Sequence, residues 1–199
     1  MSHSTRSKLI EKAEVLFAER GFYGASLAQI AQALGLSKQA LLHHFGSKEA
    51  LYGAVLKRLS EPIASMAQAA LAEKRPPLQA LEELVVVLFT TQLNNPHSAN
   101  LLMRELLDNE ARAQRAGNWY LKPFLDALVT IVQHIDPTLN TGRAIASVYQ
   151  LLGAAHYFTV SQPTLTQIFG EHDFNEALTH YEDELRTLVQ ARFRTSRMT

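Results

Sequence analysis

Just after Ser37 the chain sets out Lys38, Gln39, His43 and His44, four side chains rich in hydrogen-bond donors. An ammonium, an amide and two imidazoles can donate to phosphate oxygens or to the edges of nucleic-acid bases. Their spacing turns them away from Ala40, Leu41 and Phe45, so one short helix would show a polar face outward and an apolar face inward. Such a helix fits the major groove of DNA if a second helix braces it across the backbone. Residues 26–45 supply that arrangement as helix, tight turn at Gly35, helix. On spacing alone, a three-helix packing unit that never meets DNA reads equally well.

The elements that must hold these side chains are helical almost throughout. Leu9, Ile10, Ala13, Leu16 and Phe17 form one stripe, which Gly21 ends as a left-handed cap. Ser26 with Gln29 reads as a capping box for a helix that buries Leu27, Ile30, Ala31 and Leu34. Ser37 and Ser47 cap the next two helices, and Gly46 separates them. The fourth helix runs toward Leu71 with a kink expected at Pro62. Beyond the break at residues 74–77, Leu78–Leu93 is apolar nearly all round, which predicts a central helix. Leu101–Leu107 and Trp119–Ile135 follow, then an eighth helix with Ile145, Val148, Tyr149 and Leu152 on one face. A ninth opens on a capping box of Asp173 and Glu176 and carries Phe174, Leu178, Tyr181, Leu185, Leu188 and Val189. The expectation is an all-α protein of about nine helices.

The run from Arg6 to Leu56 resembles the DNA-binding domain of the TetR family of bacterial regulators. The resemblance rests on the Ile30-Ala31 pair, Gly35, Ser37, the Leu41-x-x-His44-Phe45 run and Ser47-Lys48-Glu49-x-Leu51. It implies a helix-turn-helix domain at 1–47 and a helical ligand-binding and dimerisation domain at 48–199. Ser26 then matches a phosphate contact, and Ser37, Lys38, Gln39 and His43 match groove-facing positions. His44 and Lys48 match contacts to the DNA backbone. Leu42 stands where the family usually has a phosphate-reaching Tyr, and Gln39 where Gly is frequent; an amide there can pair with adenine. The resemblance further implies a homodimer on a palindromic double-stranded operator, and a repressor released by a small molecule.

Two more readings concern the rest of the chain. Met66, Phe89, Met103, Trp119, Tyr120, Phe124, His134, Tyr149, His156 and Phe158 are candidates to line a mostly apolar pocket between helices, hence a hydrophobic effector. The eighth and ninth helices, with Gly153-Ala154-Ala155 allowing close approach, are candidates for an isologous dimer interface. A ligand that tilts the fourth helix about Pro62 would alter the spacing of the two DNA-reading helices.

Composition narrows the alternatives. Of 199 residues 47% are apolar and none is cysteine, which removes disulfides, thiolate metal sites and cysteine nucleophiles. Residues 1–59 hold eight Lys/Arg against four Glu, a balance of +4, and the remainder is −4, so a polyanion would meet the first part. No phosphate-cradling glycine loop, nucleophile elbow or zinc helix is present, and no cofactor or metal is expected. His172, Asp173 and His180 are poorly spaced for a metal. The chain reads as cytoplasmic, with no bilayer-spanning apolar run and no signal core. The competing functions are a helical dimer that docks proteins and an enzyme without a visible catalytic motif.

Overall fold

Ser4 opens the first helix by accepting the Ser7 backbone N–H on its hydroxyl at 3.3 Å. A computed structural model of the chain describes residues 4–73, 75–107 and 120–194. Among these residues the helices are α1 (Thr5–Gly24), α2 (Leu27–Gln32), α3 (Lys38–Phe45), α4 (Lys48–Ala72), α5 (Pro77–Asn94), α6 (Pro96–Leu107), α7 (Lys122–Ile135) and α8 (Thr141–Arg194). No strand occurs among them. Gly170, at φ +82, breaks α8 into two arms, which accounts for the expected ninth helix. The chain forms two compact units, Met1–Glu61 with His97–Tyr120, and Pro62–Pro96 with Leu121–Thr199. The expected boundary after residue 47 coincides with the start of α4, whose stretch to Glu61 is part of the first unit.

In the first unit each short helix is stopped by a named device. Leu36 N–H donates to the Ala31 carbonyl and Gly35 N–H to that of Gln32, the paired bonds of a Schellman cap, with Gly35 at φ +67. Gly46 takes φ +75 and its N–H donates to the Leu42 carbonyl at 2.7 Å, so α3 ends there. Gly21 departs from expectation. Its φ of +70 is as foreseen, but ψ is 174, and one further turn follows to Gly24. That turn carries Phe22 against the rings of Phe17 and Tyr52 at 6.1 and 5.1 Å, and this packing draws the chain back into a helix.

Leu9, Phe17, Ile30, Leu41, Leu51, Val55 and Leu101 are the fully buried centre of this unit. Leu101 comes from α6, which starts at Pro96 and is therefore longer than Leu101–Leu107. Two buried carboxylates hold α6 in place. Ser98 donates to Glu14 at 2.8 Å, and the Tyr52 hydroxyl donates to Glu105 at 2.6 Å. Hydrogen bonds to charged groups contribute about 1.5–3 kcal/mol each, and an unpaired carboxylate in these positions would cost more.

In the second unit α5 is central, as its all-round apolar sequence predicts, packing against α7 and α8. α7 starts at Lys122, with Pro123 in the first turn where its missing N–H costs nothing. The two arms of α8 run antiparallel: Arg192 donates to Ser147, and Tyr181 donates to the Ala154 carbonyl at 2.9 Å. The second arm restarts directly after Gly170, so Asp173 lies inside its first turn and not at its cap.

The seat of α3 rests on Leu41, which is fully buried. Leu41→Ala is expected to lower unfolding stability by about 2–5 kcal/mol in urea titration. The exposed neighbour Gln39→Ala should change it by less than about 0.5 kcal/mol in the same measurement.

Candidate functional site

The capping residues at the front of α2 and α3 are also donors. Ser26 Oγ accepts Gln29 N–H at 3.1 Å while Gln29 Oε1 accepts Ser26 N–H, the full capping box. Ser37 Oγ accepts Ala40 N–H at 3.1 Å, and Ser47 Oγ accepts Ala50 N–H at 3.0 Å. Each bond uses an oxygen lone pair, so the hydroxyl proton remains available to an acceptor outside the protein. Ser26 and Ser37 are exposed.

Along α3 the buried Leu41 and Phe45 fix which side faces out. Gln39 and His43, one turn apart, occupy the opposite side, flanked by Lys38 and His44, and all four are exposed. Leu42 is half-buried. Between Glu19 and Glu49 the chain carries no carboxylate at all, so nothing on α2 or α3 repels a polyanion. Lys48 is half-buried, its Nζ 4.8 Å from the centroid of the Phe22 ring. Burial lowers its pKa and the neighbouring Glu49 opposes the shift. The aromatic contact holds the ammonium in one place at the start of α4. Thus Ser26, Ser37, Lys38, Gln39, His43, His44 and Lys48 all belong to the first unit.

The candidate pocket residues divide differently. Met103 and Tyr120 belong to the first unit, and Trp119 lies outside the described residues. Met66, His134 and Tyr149 belong to the second unit and are exposed there. Phe124 is buried in it. Phe89, Phe158 and Tyr181 do come together, with Tyr181 stacked on Phe158 at 3.7 Å and 5.2 Å from Phe89. His156 is buried, and the structure supplies a partner that sequence spacing did not reveal: Gln92 Nε2 lies 3.1 Å from His156 Nε2. Gln92 is 2% exposed and His156 9%, yet Gln92 Oε1 and His156 Nδ1 have no hydrogen-bond partner. Whichever way the amide is turned, the pair is left with one donor and one acceptor unused. Among the described residues no three His, Asp or Glu side chains are grouped to hold a metal, and no helix is long and apolar enough to cross a membrane.

The family model of bacterial regulatory proteins, tetR family, matches residues 9–55. The transcriptional regulator RutR of Escherichia coli strain K12 is 36% identical over 105 residues, which cover 52% of this chain and 49% of RutR. The chain therefore spans about half the length of that relative. The transcriptional repressor NicS of Pseudomonas putida is 26% identical over 164 residues, covering 77% of this chain and 74% of NicS. In fold, the chain is similar to FadR of Bacillus subtilis, whose structure contains stearoyl-CoA, with a TM-score of 0.70 at 16% identity over 92% of this chain and 96% of that one.

Burial pushes the His156 imidazole down to about 4 from its ordinary 6.5. The folded chain then holds His156 neutral while the unfolded chain takes up a proton below pH 6.5. Stability from this residue is complete above pH 6.5 and is lost as pH falls toward 4, by about 3 kcal/mol in all. Thermal unfolding from pH 7 to pH 4 should show this decline, and His156→Gln should flatten it.

Proposed function

We propose that this chain, which belongs to the TetR family of bacterial regulatory proteins by its first domain, is a DNA-binding transcriptional regulator. It acts as a repressor that leaves a palindromic operator when a hydrophobic small molecule binds. The observation that carries this reading is the outward face of α3, where Gln39 and His43 stand between Lys38 and His44 on a surface free of carboxylates. Gln39 reads a base edge, with adenine N6 and N7 as its natural partners. Ser26, Ser37, Lys38, His44 and Lys48 set the register by donating to phosphates, and Leu42 withholds one such contact. Nothing in this arrangement requires catalysis.

Operators with two-fold symmetry need a two-fold protein. Ile145, Tyr149, Gly153 and Tyr157 recur every four residues on the first arm of α8, and all are exposed, Tyr157 at 71%. This stripe is the proposed contact with a second copy, extended by the exposed Leu188 on the second arm. It is narrower than the sequence suggested. Val148 and Leu152 are buried within their own unit, as are Phe174, Leu185 and Val189.

The effector reading is supported by the unused donor and acceptor of Gln92 and His156, with Gln92 three residues along α5 from Phe89, whose ring meets Phe158 and Tyr181. A largely apolar molecule with an amide or protonated carboxyl group would satisfy both atoms at once. The stearoyl-CoA found with FadR agrees with an apolar effector. α4 contributes residues to both units, and we place the switch in it, with Pro62 as the pivot.

Gel-shift titration on the DNA upstream of the chain's own gene tests the regulator directly, and absence of a sequence-preferring complex would overturn it. Lys48→Ala should weaken every sequence alike and flatten the salt slope by about one unit. Gln39→Ala should relax preference at one operator position at a cost of about 1–3 kcal/mol. For assembly, sedimentation should give twice the 22.2 kDa chain mass, and Tyr149→Glu with Tyr157→Glu should return the protein to 22.2 kDa.

A further inference from the structure

We propose that the first unit contains a second small-molecule site, separate from the effector pair, which takes a small aromatic carboxylate. A cavity of about 330 Å³ lies at the C-terminal end of α1, lined by Arg20, Phe22, Tyr23, Tyr52, Leu101 and Arg104. All six residues belong to the first unit, and they come from α1, α4 and α6.

The lining has two kinds of surface. One is aromatic and apolar. Phe22 meets Tyr52 edge-on at 5.1 Å and Tyr23 at 5.3 Å, and Leu101 is fully buried behind them. The Tyr52 hydroxyl is already donated to Glu105, so Tyr52 presents ring carbon rather than a donor. The other surface is cationic. Arg20 and Arg104 are both exposed, and Arg20 makes no ion pair among the described residues. Arg104 comes close to the break in α1, its Nη1 at 3.4 Å from where a Cβ on Gly21 would stand.

Flat apolar walls beneath two guanidinium groups select a ring that carries an anion. Guanidinium grips a carboxylate through two parallel hydrogen bonds, and aromatic edges and faces pack against a ring. Pockets for small molecules run from about 300 to 1,000 Å³, so this one suits one or two fused rings and excludes a long acyl chain. The site therefore differs in ligand class from the Gln92–His156 pair, whose unused atoms ask for an uncharged donor–acceptor group.

The test is isothermal titration of the full chain with 2-naphthoate, using 2-naphthamide as a neutral match in shape. The carboxylate should bind saturably and the amide at least about tenfold more weakly. Arg20→Gln and Arg104→Gln should each weaken 2-naphthoate about tenfold while thermal unfolding confirms that both variants fold. Because Arg104 has other interactions, Arg20→Gln is the deciding variant. Equal binding of amide and carboxylate, unchanged binding by Arg20→Gln, or no saturable binding would each overturn the proposal.

Discussion

The outward face of α3 exists because its inward face has nowhere else to go. An eight-residue helix is far below the length of about 12–15 residues at which helices hold in water by themselves. α3 persists because Leu41 and Phe45 are buried among Leu9, Phe17 and Ile30, and because Ser37 and Gly46 close its two ends. Once those two side chains are seated, the rotation of the helix is set. Gln39 and His43 are then held outward by packing on the far side of the same two turns, and the proposed DNA contacts inherit their precision from the core.

The two units differ in one buried polar pair. In the first, Glu14 and Glu105 are each met by a hydroxyl, from Ser98 and Tyr52, so the buried carboxylates are satisfied. In the second, Gln92 and His156 satisfy one another only in part and leave an oxygen and a nitrogen without partners. Closed pairs stiffen the part of the chain that must keep its shape. An open pair stays costly until something completes it, which suits the proposed effector site.

Local pattern made the helices and the outward residues of α3 legible. Caps at Ser26, Ser37 and Ser47, glycine stops and the three-four spacing of Leu41 and Phe45 all act within a few residues, which is the range over which sequence speaks directly. Longer reach was lost. Ser98 meets Glu14 across 84 positions, Tyr52 meets Glu105 across 53, and Gln92 meets His156 across 64. Gln92 is one of several polar residues in α5, with Gln79, Glu82 and Glu83 among them, so nothing in the local pattern marked it as buried. Stripe residues posed a different problem: spacing shows that Val148 and Tyr149 are both apolar, but only three-dimensional packing separates the buried one from the exposed one. Met103 and Tyr120 likewise share their residue types with the candidates of the second unit but belong to the first.

The first unit is discontinuous along the chain, since residues 62–96 intervene before α6. A ribosome therefore delivers Glu14 and Tyr52 well before Ser98 and Glu105. At synthesis rates of about 5–20 residues per second, the 46 residues from Glu61 to Leu107 take roughly 2–9 s to appear. During that interval the nascent helix-turn-helix lacks Leu101 in its core and has a carboxylate and a phenol still in water. The first unit begins first but finishes only after α5 has been made, so a truncated message yields α3 without the brace that completes its fold.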